Sequence, residues 1–497
     1  MDLKHNKILS TFMKKTVFMT GATGNFGSAG LAELLKKTDR FKIRILVRPS
    51  TKNKKLLKRC AGNPSVEVIW GDLMNYYDVY KGVTGADYVL HVGALVSPQA
   101  DFYPERAYKI NVTGTENIVK AILAQDNPDN IKLVYIGSVA QCGDRLYPIH
   151  WGRTGDPVYA SKFDMYSVSK CVSERIVANS GLKYWVSLRQ SGILYPGIFR
   201  QFNPVAFHVP MRGMLEWATI EDSARVLSNV VEDWVPEEFW NRFYNISSGE
   251  QYRMSNYEME SRLLKPLGIN NIERIFEPRW FALMNFHGMW YTDSDLLENY
   301  LHFRENLPVE DYFTRLASRL PWYYPLARFV PSFLIKAFLR PLTYHKELGT
   351  QAWQRHYPEK IEAYYGSTDV FRNLTSWKSL RPLELEKNLD KAVSKGEVRT
   401  LDHGYDETKS IYTLTAEEVE AAAEFRGGHF IGPAEMLGEK GALFEWECEH
   451  GHRFSSSLEY VLLGGGWCPV CPIDTLDEIS TDKNKFISEV LSPQSLL

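Results

Sequence analysis

The sequence predicts an α/β fold built around a doubly wound parallel sheet. Short apolar runs alternate with segments in which apolar residues recur at helical spacing. Glycine follows several of these runs, as it does where a strand turns into a helix. Strands that alternate with helices form a parallel sheet with both faces covered. The predicted strands are residues 17–19, 42–47, 66–70, 88–92 and 132–136, and the predicted helices are residues 31–35, 111–123 and 164–176.

Charge is distributed unevenly along the 497 residues, whose net charge is −2. Residues 411–497 contain 5 Lys and Arg against 15 Asp and Glu, a net charge of −10, which leaves +8 on the preceding residues. A basic body suits an anionic cofactor. The acidic C-terminal part argues against nucleic acid as a partner.

Cysteine usage and hydropathy bear on the compartment. The 6 cysteines do not have the spacing of a disulfide framework, which favours a reducing environment. Residues 1–15 lack the apolar core of a secretion signal, and no apolar run has the length of a transmembrane helix. We therefore expect a cytoplasmic protein without a transmembrane segment.

A glycine turn follows the first predicted strand. Glycines at such positions allow a tight turn and a close approach to a pyrophosphate, while the amides that begin the next helix face the phosphates. Glycine-rich turns of this kind also occur without a ligand. The candidate cofactor-binding residues of the turn are Gly21, Thr23, Gly24, Asn25, Phe26 and Gly27.

The ends of later strands offer further cofactor contacts. Arg48 follows the second strand, where an acidic residue would bind the ribose 2'-hydroxyl of NAD, and its guanidinium suits the 2'-phosphate of NADP. The alternative is a solvated basic loop. Asp72 and Leu73 follow the third strand, where the adenine is expected to lie. Gly93 and Ala94 follow the fourth strand, and their small size would let a ribose lie close to the backbone there.

One helix and one strand end carry candidate acid–base chemistry. Tyr166 and Lys170 are four residues apart, so both project from one helical face. A lysine ammonium one turn away is expected to lower the tyrosine pKa and make it a better proton donor and acceptor. Ser138 ends the preceding strand and is placed to contact the same reacting oxygen.

The order of these motifs resembles the extended short-chain dehydrogenase/reductase (NAD-dependent epimerase/dehydratase-like) family over residues 16–265. The resemblance implies a Rossmann-type sheet, a nicotinamide cofactor and the catalytic triad Ser138, Tyr166 and Lys170. Tyr166 would exchange the proton, Lys170 would hold the nicotinamide ribose, and Ser138 would orient the substrate oxygen. The motifs that carry it are the glycine turn, Asp72-Leu73, Asn111-Val-Thr-Gly-Thr115, the triad, Leu188–Gly192, Trp217–Asp222 and Tyr244–Gly249.

Residues 266–345 resemble no family and are rich in aromatic residues. Between Leu326 and Phe338 apolar residues follow helical spacing, and Arg328 and Lys336 lie off that stripe, with Pro331 expected to begin a helix. One interpretation is a helical substrate region or a homodimer contact. The other is a basic amphipathic surface that contacts a membrane peripherally.

A metal site is predicted near the C-terminus. Two short knuckles about 16 residues apart supply Cys448 and His452, then Cys468 and Cys471, which matches a closed tetrahedral zinc site. His450 is the alternative histidine ligand. The segment resembles the zinc-ribbon family, and four protein ligands leave no position for water, so the zinc is expected to be structural.

The predicted organisation has four parts: a Rossmann-type NADP-binding domain with the triad (1–265), an aromatic-rich helical substrate or cap region (266–345), a helical and linker segment (346–410) and a zinc-ribbon-like module (411–497). The predicted function is hydride transfer between NADP(H) and a carbonyl or secondary alcohol of a bulky or apolar small molecule. One alternative is a sugar-nucleotide epimerase or dehydratase that retains NAD, although the acidic pair usual in dehydratases is replaced after Ser138 by Val139-Ala140-Gln141. Another is a non-catalytic nucleotide-sensing protein.

Overall fold

The computed structural model describes residues 14–60, 62–146, 149–200, 203–384, 398 and 400–471. Its strands are β1 Lys15–Thr20, β2 Phe41–Val47, β3 Val66–Trp70, β4 Tyr88–His91, β5 Lys132–Ser138, β6 Trp151–Gly152, β7 Trp185–Gln190, β8 Ile193–Leu194, β9 Met214–Glu216, β10 Ala218–Thr219, β11 Arg242–Ile246, β12 Arg253–Ser255, β13 Trp290–Tyr291, β14 His429–Gly432, β15 Leu443–Glu447 and β16 Arg453–Ser457.

Sixteen α-helices have described bounds. They are α1 Asn25–Leu34, α2 Thr51–Leu56, α3 Tyr76–Val83, α4 Gln99–Phe102, α5 Pro104–Leu123, α6 Met165–Ala178, α7 Ile220–Asn229, α8 Asn256–Leu264, α9 Ser294–Leu301, α10 Val309–Ser318, α11 Ser332–Thr343, α12 Thr350–His356, α13 Pro358–Tyr365, α14 Thr368–Asn373, α15 Trp377–Glu384 and α16 Ala416–Phe425.

The main sheet has seven strands in the order β11-β7-β5-β4-β1-β2-β3, and every neighbouring pair is parallel. The strand order reverses between β1 and β4, which is the doubly wound topology that the sequence predicted. The fold class is therefore confirmed. In such sheets a ligand binds at the carboxyl ends of the strands where the order reverses.

The predicted elements differ from the observed ones mainly in where helices begin. The first helix starts at Asn25 instead of residue 31, because Gly27 and Gly30 hide the apolar period of its first half. The helix predicted from residue 111 starts at Pro104, whose missing N–H suits the first helical turn. Asn111 thus lies inside α5, where its side chain bonds Leu95.

The two faces of the sheet are covered by separate apolar clusters. Val17 and Met19 of β1 pack with Leu227 of α7 on one face. Phe18 and Val89 pack on the other face in a cluster that also contains Ile118 of α5. The alternation of side chains along β1 therefore buries both of its faces, as expected for a central parallel strand.

Residues of the C-terminal part contact the main sheet and its helices. Strands β14, β15 and β16 form an antiparallel sheet. The Arg175 guanidinium of α6 donates to the Ser455 carbonyl at 2.8 Å, and the Val158 N–H donates to the Gly465 carbonyl at 2.8 Å. The predicted domain limits remain predictions. Most of the charge-rich linker predicted near 384–399 lies outside the described residues.

Within the described ranges, no helix combines the length and the apolar character that crossing a membrane requires.

Candidate functional site

The glycine turn after β1 is packed against the turn after β4. Gly21 has a φ of +73°, and a Cβ there would lie 2.7 Å from the Gly93 nitrogen. The Gly93 N–H donates to the Thr20 hydroxyl at 3.0 Å. These contacts bring the ends of the two strands together at the point where the strand order reverses.

Gly27 and Gly24 are glycines for different reasons. A Cβ on Gly27 would lie 2.2 Å from the Gly21 carbonyl oxygen, so the turn cannot close with a larger residue. A Cβ on Gly24 would meet only an ordinary contact at 3.5 Å, and this exposed residue caps α1 without a side-chain hydrogen bond. The protein's own packing does not require glycine at 24. The sequence analysis predicts that this position lies against a phosphate, where a side chain would be in the way.

The other candidate turn residues border the same crevice. Asn25 is exposed, whereas Thr23 and Phe26 are partly buried. The Tyr195 hydroxyl is hydrogen-bonded to the Asn25 side chain. Tyr195 follows β8 and was not identified from the sequence, because no local pattern relates it to the glycine turn. It ties the region after β8 to the start of α1.

The ends of β2 and β3 hold the predicted adenosine contacts. Arg48 follows β2 directly, and its exposed side chain has no ion-pair partner within the described ranges. The Asp72 carboxylate accepts the Met74 N–H at 2.9 Å and thereby shapes the turn after β3. Leu73 packs against Gly114 of α5, where a Cβ would lie 2.6 Å from its side chain. Leu73 therefore has a packing role of its own.

Ser138, Tyr166 and Lys170 are brought together by β5 and α6. Ser138 is the last residue of β5, and its side chain lies near enough to the Tyr166 hydroxyl to affect the pKa of that group. Tyr166 lies in the first turn of α6, which Asp164 caps by accepting the Ser167 N–H at 2.9 Å. The Lys170 ammonium donates to the Ile136 carbonyl of β5 at 2.6 Å.

Burial dominates the acid–base properties of this triad. It raises the pKa of Tyr166 to about 12, against a smaller opposite effect of the hydrogen bond with Ser138. It lowers the pKa of Lys170 to about 7, while the Glu174 carboxylate acts in the opposite direction. The expectation that Lys170 lowers the tyrosine pKa is wrong for this arrangement. The ammonium is directed at the Ile136 carbonyl, and removal from water outweighs its field.

Two ionisable residues near Tyr166 were missed by the sequence analysis. Asp101 of α4 lies close enough to raise the tyrosine pKa, and its own pKa is raised to about 6 by burial. His287 lies with Nδ1 3.5 Å from the Asp164 carboxylate. Neither residue belongs to a motif, and only the tertiary fold brings them to α6.

His287 lies near Asp164 because residues 281–291 pack against the segment that precedes α6. The Asn285 side chain exchanges two hydrogen bonds with the backbone of Lys162, at 2.8 and 3.0 Å. The Phe286 and His287 rings stack with centroids 4.3 Å apart. Part of the region that the sequence left without a family thus contacts the segment that leads into α6.

The residue that follows the strand end is not an acid. Gln141 is fully buried, and its carbonyl oxygen accepts the Ser138 N–H at 2.8 Å, completing a capping box after β5. Val139 and Ala140 are also buried. No carboxylate is therefore present at the three positions after Ser138.

The four predicted metal ligands lie together, with ligand atoms within 4.8 Å of one another. His452 Nδ1 is 3.4 Å from the sulfur of Cys448, 3.6 Å from that of Cys468 and 3.5 Å from that of Cys471. A tetrahedral zinc with ordinary bond lengths separates its ligands by about 3.5–3.8 Å. His450 instead lies 3.6 Å from the Glu449 carboxylate. The donor set and its spacing therefore fit zinc.

The turn between Cys448 and His452 sets this geometry. Gly451 has a φ of +77°, its N–H donates to the Cys448 carbonyl at 2.8 Å, and the Cys448 N–H donates to the His452 carbonyl at 3.0 Å. Cys448 and Cys468 are buried, and none of the three cysteines is in a disulfide. The thiols are thus available as ligands.

Comparisons with known proteins agree on the N-terminal part. Residues 17–204 match the model of the NAD dependent epimerase/dehydratase family. UDP-glucose 4-epimerase from Rickettsia akari is 37% identical over 116 residues, which is 22% of this chain and 34% of that protein. The corresponding Rickettsia bellii protein is 37% identical over 114 residues. The match thus spans about a third of the length of these relatives.

Among solved structures, dTDP-glucose 4,6-dehydratase from Streptomyces venezuelae with NAD and TYD bound is similar at 18% identity. The superposition covers 62% of this chain and 96% of the dehydratase chain, with a TM-score of 0.48. The Bordetella bronchiseptica enzyme WbmG in complex with NAD is similar at 16% identity. The superposition covers 65% of this chain and 97% of the WbmG chain, with a TM-score of 0.46.

We expect one zinc per purified chain, measured by elemental analysis, and a loss of most of it in Cys468→Ser. The serine removes one of the four donors of the cluster. Cys60→Ser is the matched control, because Cys60 is a buried cysteine of the sheet cluster and should leave the zinc content unchanged. A zinc content near zero in the unmodified chain, with its three thiols freely titratable, would contradict this assignment.

Proposed function

Because residues 17–204 belong to the NAD dependent epimerase/dehydratase family, we propose that this chain is an NAD(P)-dependent oxidoreductase. It transfers a hydride between the nicotinamide and a carbonyl or secondary-alcohol carbon of a small molecule. The observation that carries the proposal is the placement of Ser138 at the end of β5 near Tyr166, with Lys170 one helical turn farther along α6 and donating to the Ile136 carbonyl of the same strand.

The proton in this reaction is assigned to Tyr166. When bound, the nicotinamide supplies or accepts the hydride, so the substrate oxygen must gain or lose a proton at the same carbon. Tyr166 as a whole residue is only partly buried, and its hydroxyl lies near Ser138, whose own hydroxyl also suits contact with the substrate oxygen. Lys170 is buried and is assigned to the nicotinamide ribose.

The cofactor is assigned to the crevice between β1 and β4. The backbone around Gly24 would hold the pyrophosphate, and Asp72, Gly93 and Ala94 would border the adenine and ribose groups. Arg48 favours NADP over NAD, since a guanidinium is suited to a 2'-phosphate and this one is exposed and unpaired within the described chain. NAD stays as the alternative cofactor.

The substrate is proposed to be bulky or apolar on one side. The stacked Phe286 and His287 rings border the triad through the contact of His287 with Asp164. Stacked rings offer a flat apolar face, to which a ring or a chain of the substrate can bind. A cytoplasmic location, a structural role for the zinc, and a homodimer that does not bind nucleic acid complete the proposal.

A second candidate is a sugar-nucleotide epimerase that keeps its cofactor. The relatives named UDP-glucose 4-epimerase favour it, although they match only residues in the N-terminal part. Epimerisation returns the hydride to the same carbon and needs no acid–base group beyond the tyrosine. The absence of carboxylates at residues 139–141 is therefore compatible with an epimerase and argues against a dehydratase.

We expect Tyr166→Phe to lower turnover by about 10²–10⁴-fold and to leave cofactor affinity nearly unchanged, because it removes only the group that exchanges the proton. Turnover is measured with a panel of carbonyl compounds and NADPH, and affinity by calorimetric titration. Tyr80→Phe, on α3, is the matched control. Unchanged turnover in the Tyr166 variant would refute the triad and would leave a nucleotide-sensing role open.

We expect Arg48→Asp to shift the preference of the chain from NADPH toward NADH. Losing a charge-assisted contact to the 2'-phosphate should weaken NADPH binding by about 1.5–3 kcal/mol. Titrations with both cofactors measure the ratio of affinities, and Lys81→Asp on α3 controls for the change in net charge. If the ratio does not move, Arg48 belongs to a solvated loop.

We expect the purified chain to exchange its cofactor and to oxidise added NADPH in step with reduction of a carbonyl substrate. Absorbance at the nicotinamide band follows the reaction, and the supernatant of acid-precipitated protein shows how much cofactor is retained. Stoichiometric retention, together with interconversion of UDP-glucose without net consumption of NADPH, would instead establish the epimerase.

A further inference from the structure

Residues 322–344 form an exposed apolar surface, which we call the aromatic face. It consists of a 3-10 helix, Tyr324–Phe329, followed by α11. Large side chains that normally avoid water project from it: Trp322 is 83%, Phe329 70%, Phe333 67% and Phe338 74% exposed. Single exposed apolar residues are common on proteins, but a contiguous group of this kind marks an interaction site.

Folding does not explain these side chains. Helix α11 is held to the protein by its opposite side, where Leu339 and Thr343 are buried. Leu339 belongs to a cluster with Phe207 and Trp280, whereas Phe333 and Phe338 point outward. The residues that anchor the helix are therefore different from the residues of the aromatic face.

The segment that carries the aromatic face is basic, and the Glu277 carboxylate of a neighbouring segment lies near Arg340. Residues 319–346 contain five basic residues, Arg319, Arg328, Lys336, Arg340 and Lys346, and no Asp or Glu. Arg319 is paired with Glu221 at 3.1 Å, but Arg328 and Lys336 have no ion pair within the described residues. Lys336 and Arg340 are one helical turn apart on α11, so they flank the outward aromatic rings.

We propose that the aromatic face docks this protein onto an anionic lipid surface. Trp, Tyr and Phe favour the boundary between lipid headgroups and acyl chains, and Lys and Arg around them are attracted to anionic headgroups. A second copy of this chain fits the same face less well. In a symmetric dimer the two basic borders would face each other and repel.

The test is co-sedimentation of the full chain with vesicles. We expect binding to vesicles of phosphatidylcholine mixed with phosphatidylserine, weaker binding to phosphatidylcholine alone, and a loss of binding as salt is raised. The double variants Phe333→Ser/Phe338→Ser and Arg328→Glu/Lys336→Glu should each lower the affinity about tenfold or more. All four positions are at or near the surface, so thermal unfolding should be nearly unchanged.

A control variant tests whether the loss of binding is specific to the aromatic face or follows from removing any exposed aromatic residue and any positive charge. Tyr77 is 80% exposed on α3, and Tyr77→Ser/Lys81→Glu should bind vesicles like the unmodified chain. The proposal is overturned if the unmodified chain does not bind the anionic vesicles, or if the two double variants bind as well as it does. It is also overturned if sedimentation equilibrium shows a dimer that the aromatic variant dissociates, since the face is then a contact between copies.

Discussion

The ion pair between Glu174 and Arg189 is the interaction on which the arrangement of the site depends. Both side chains are at most 4% exposed, with the guanidinium donating to the carboxylate at 2.6 and 3.1 Å. A buried pair is tolerated only if its remaining hydrogen-bonding capacity is satisfied. Here Ser187 donates to the carboxylate at 2.6 Å, and the guanidinium also donates to the Gly464 carbonyl. One pair thus joins α6, β7 and the C-terminal part.

Helix α6, which carries Tyr166 and Lys170, contacts both β5 and β16. On one side, Lys170 donates to the Ile136 carbonyl of β5, which sets α6 against the strand that ends in Ser138. Farther along, Arg175 donates to the Ser455 carbonyl of β16, the strand that follows the predicted metal ligand His452. The cysteine–histidine cluster and the triad therefore lie on elements that contact the same helix, so a metal there would also stabilise the position of α6.

The sequence predicted the parts of the fold that are encoded locally. The spacing of apolar residues along the chain shows where strands and helices alternate, and the spacing of glycines shows where the backbone leaves no room for a side chain. Five strands of the sheet and the glycine turn were therefore predicted correctly. Asp101 and His287 could not be found in this way, because 186 residues separate them in the chain. Tertiary packing alone brings Asp101 near Tyr166 and His287 to Asp164 at the start of α6. The predicted direction of the Tyr166 pKa shift was wrong for a similar reason, because the burial of this side chain depends on the whole fold. For residues 322–344 the spacing indicated an amphipathic helix, but not which side faces the protein.

The acid–base groups around the triad limit the chemistry that this site can perform. Reduction of a carbonyl, or epimerisation at one carbon, needs one group that exchanges a proton, and Tyr166 is the group that we propose for it. Elimination of water needs a second acid at the neighbouring carbon. Residue 141 cannot provide it, because the Gln141 side chain is an amide without an acidic proton, and its oxygen accepts the Ser138 N–H. Asp101, with a pKa of about 6 and one buried carboxylate oxygen that has no hydrogen-bond partner among the described residues, is the carboxylic acid near Tyr166 whose protonation could change close to neutral pH. Lys170, with a pKa of about 7, is a second group with this property. Any elimination in this site would therefore have to use an acid from α4 instead of the strand end, and this difference separates it from dehydratases that carry an acidic pair there.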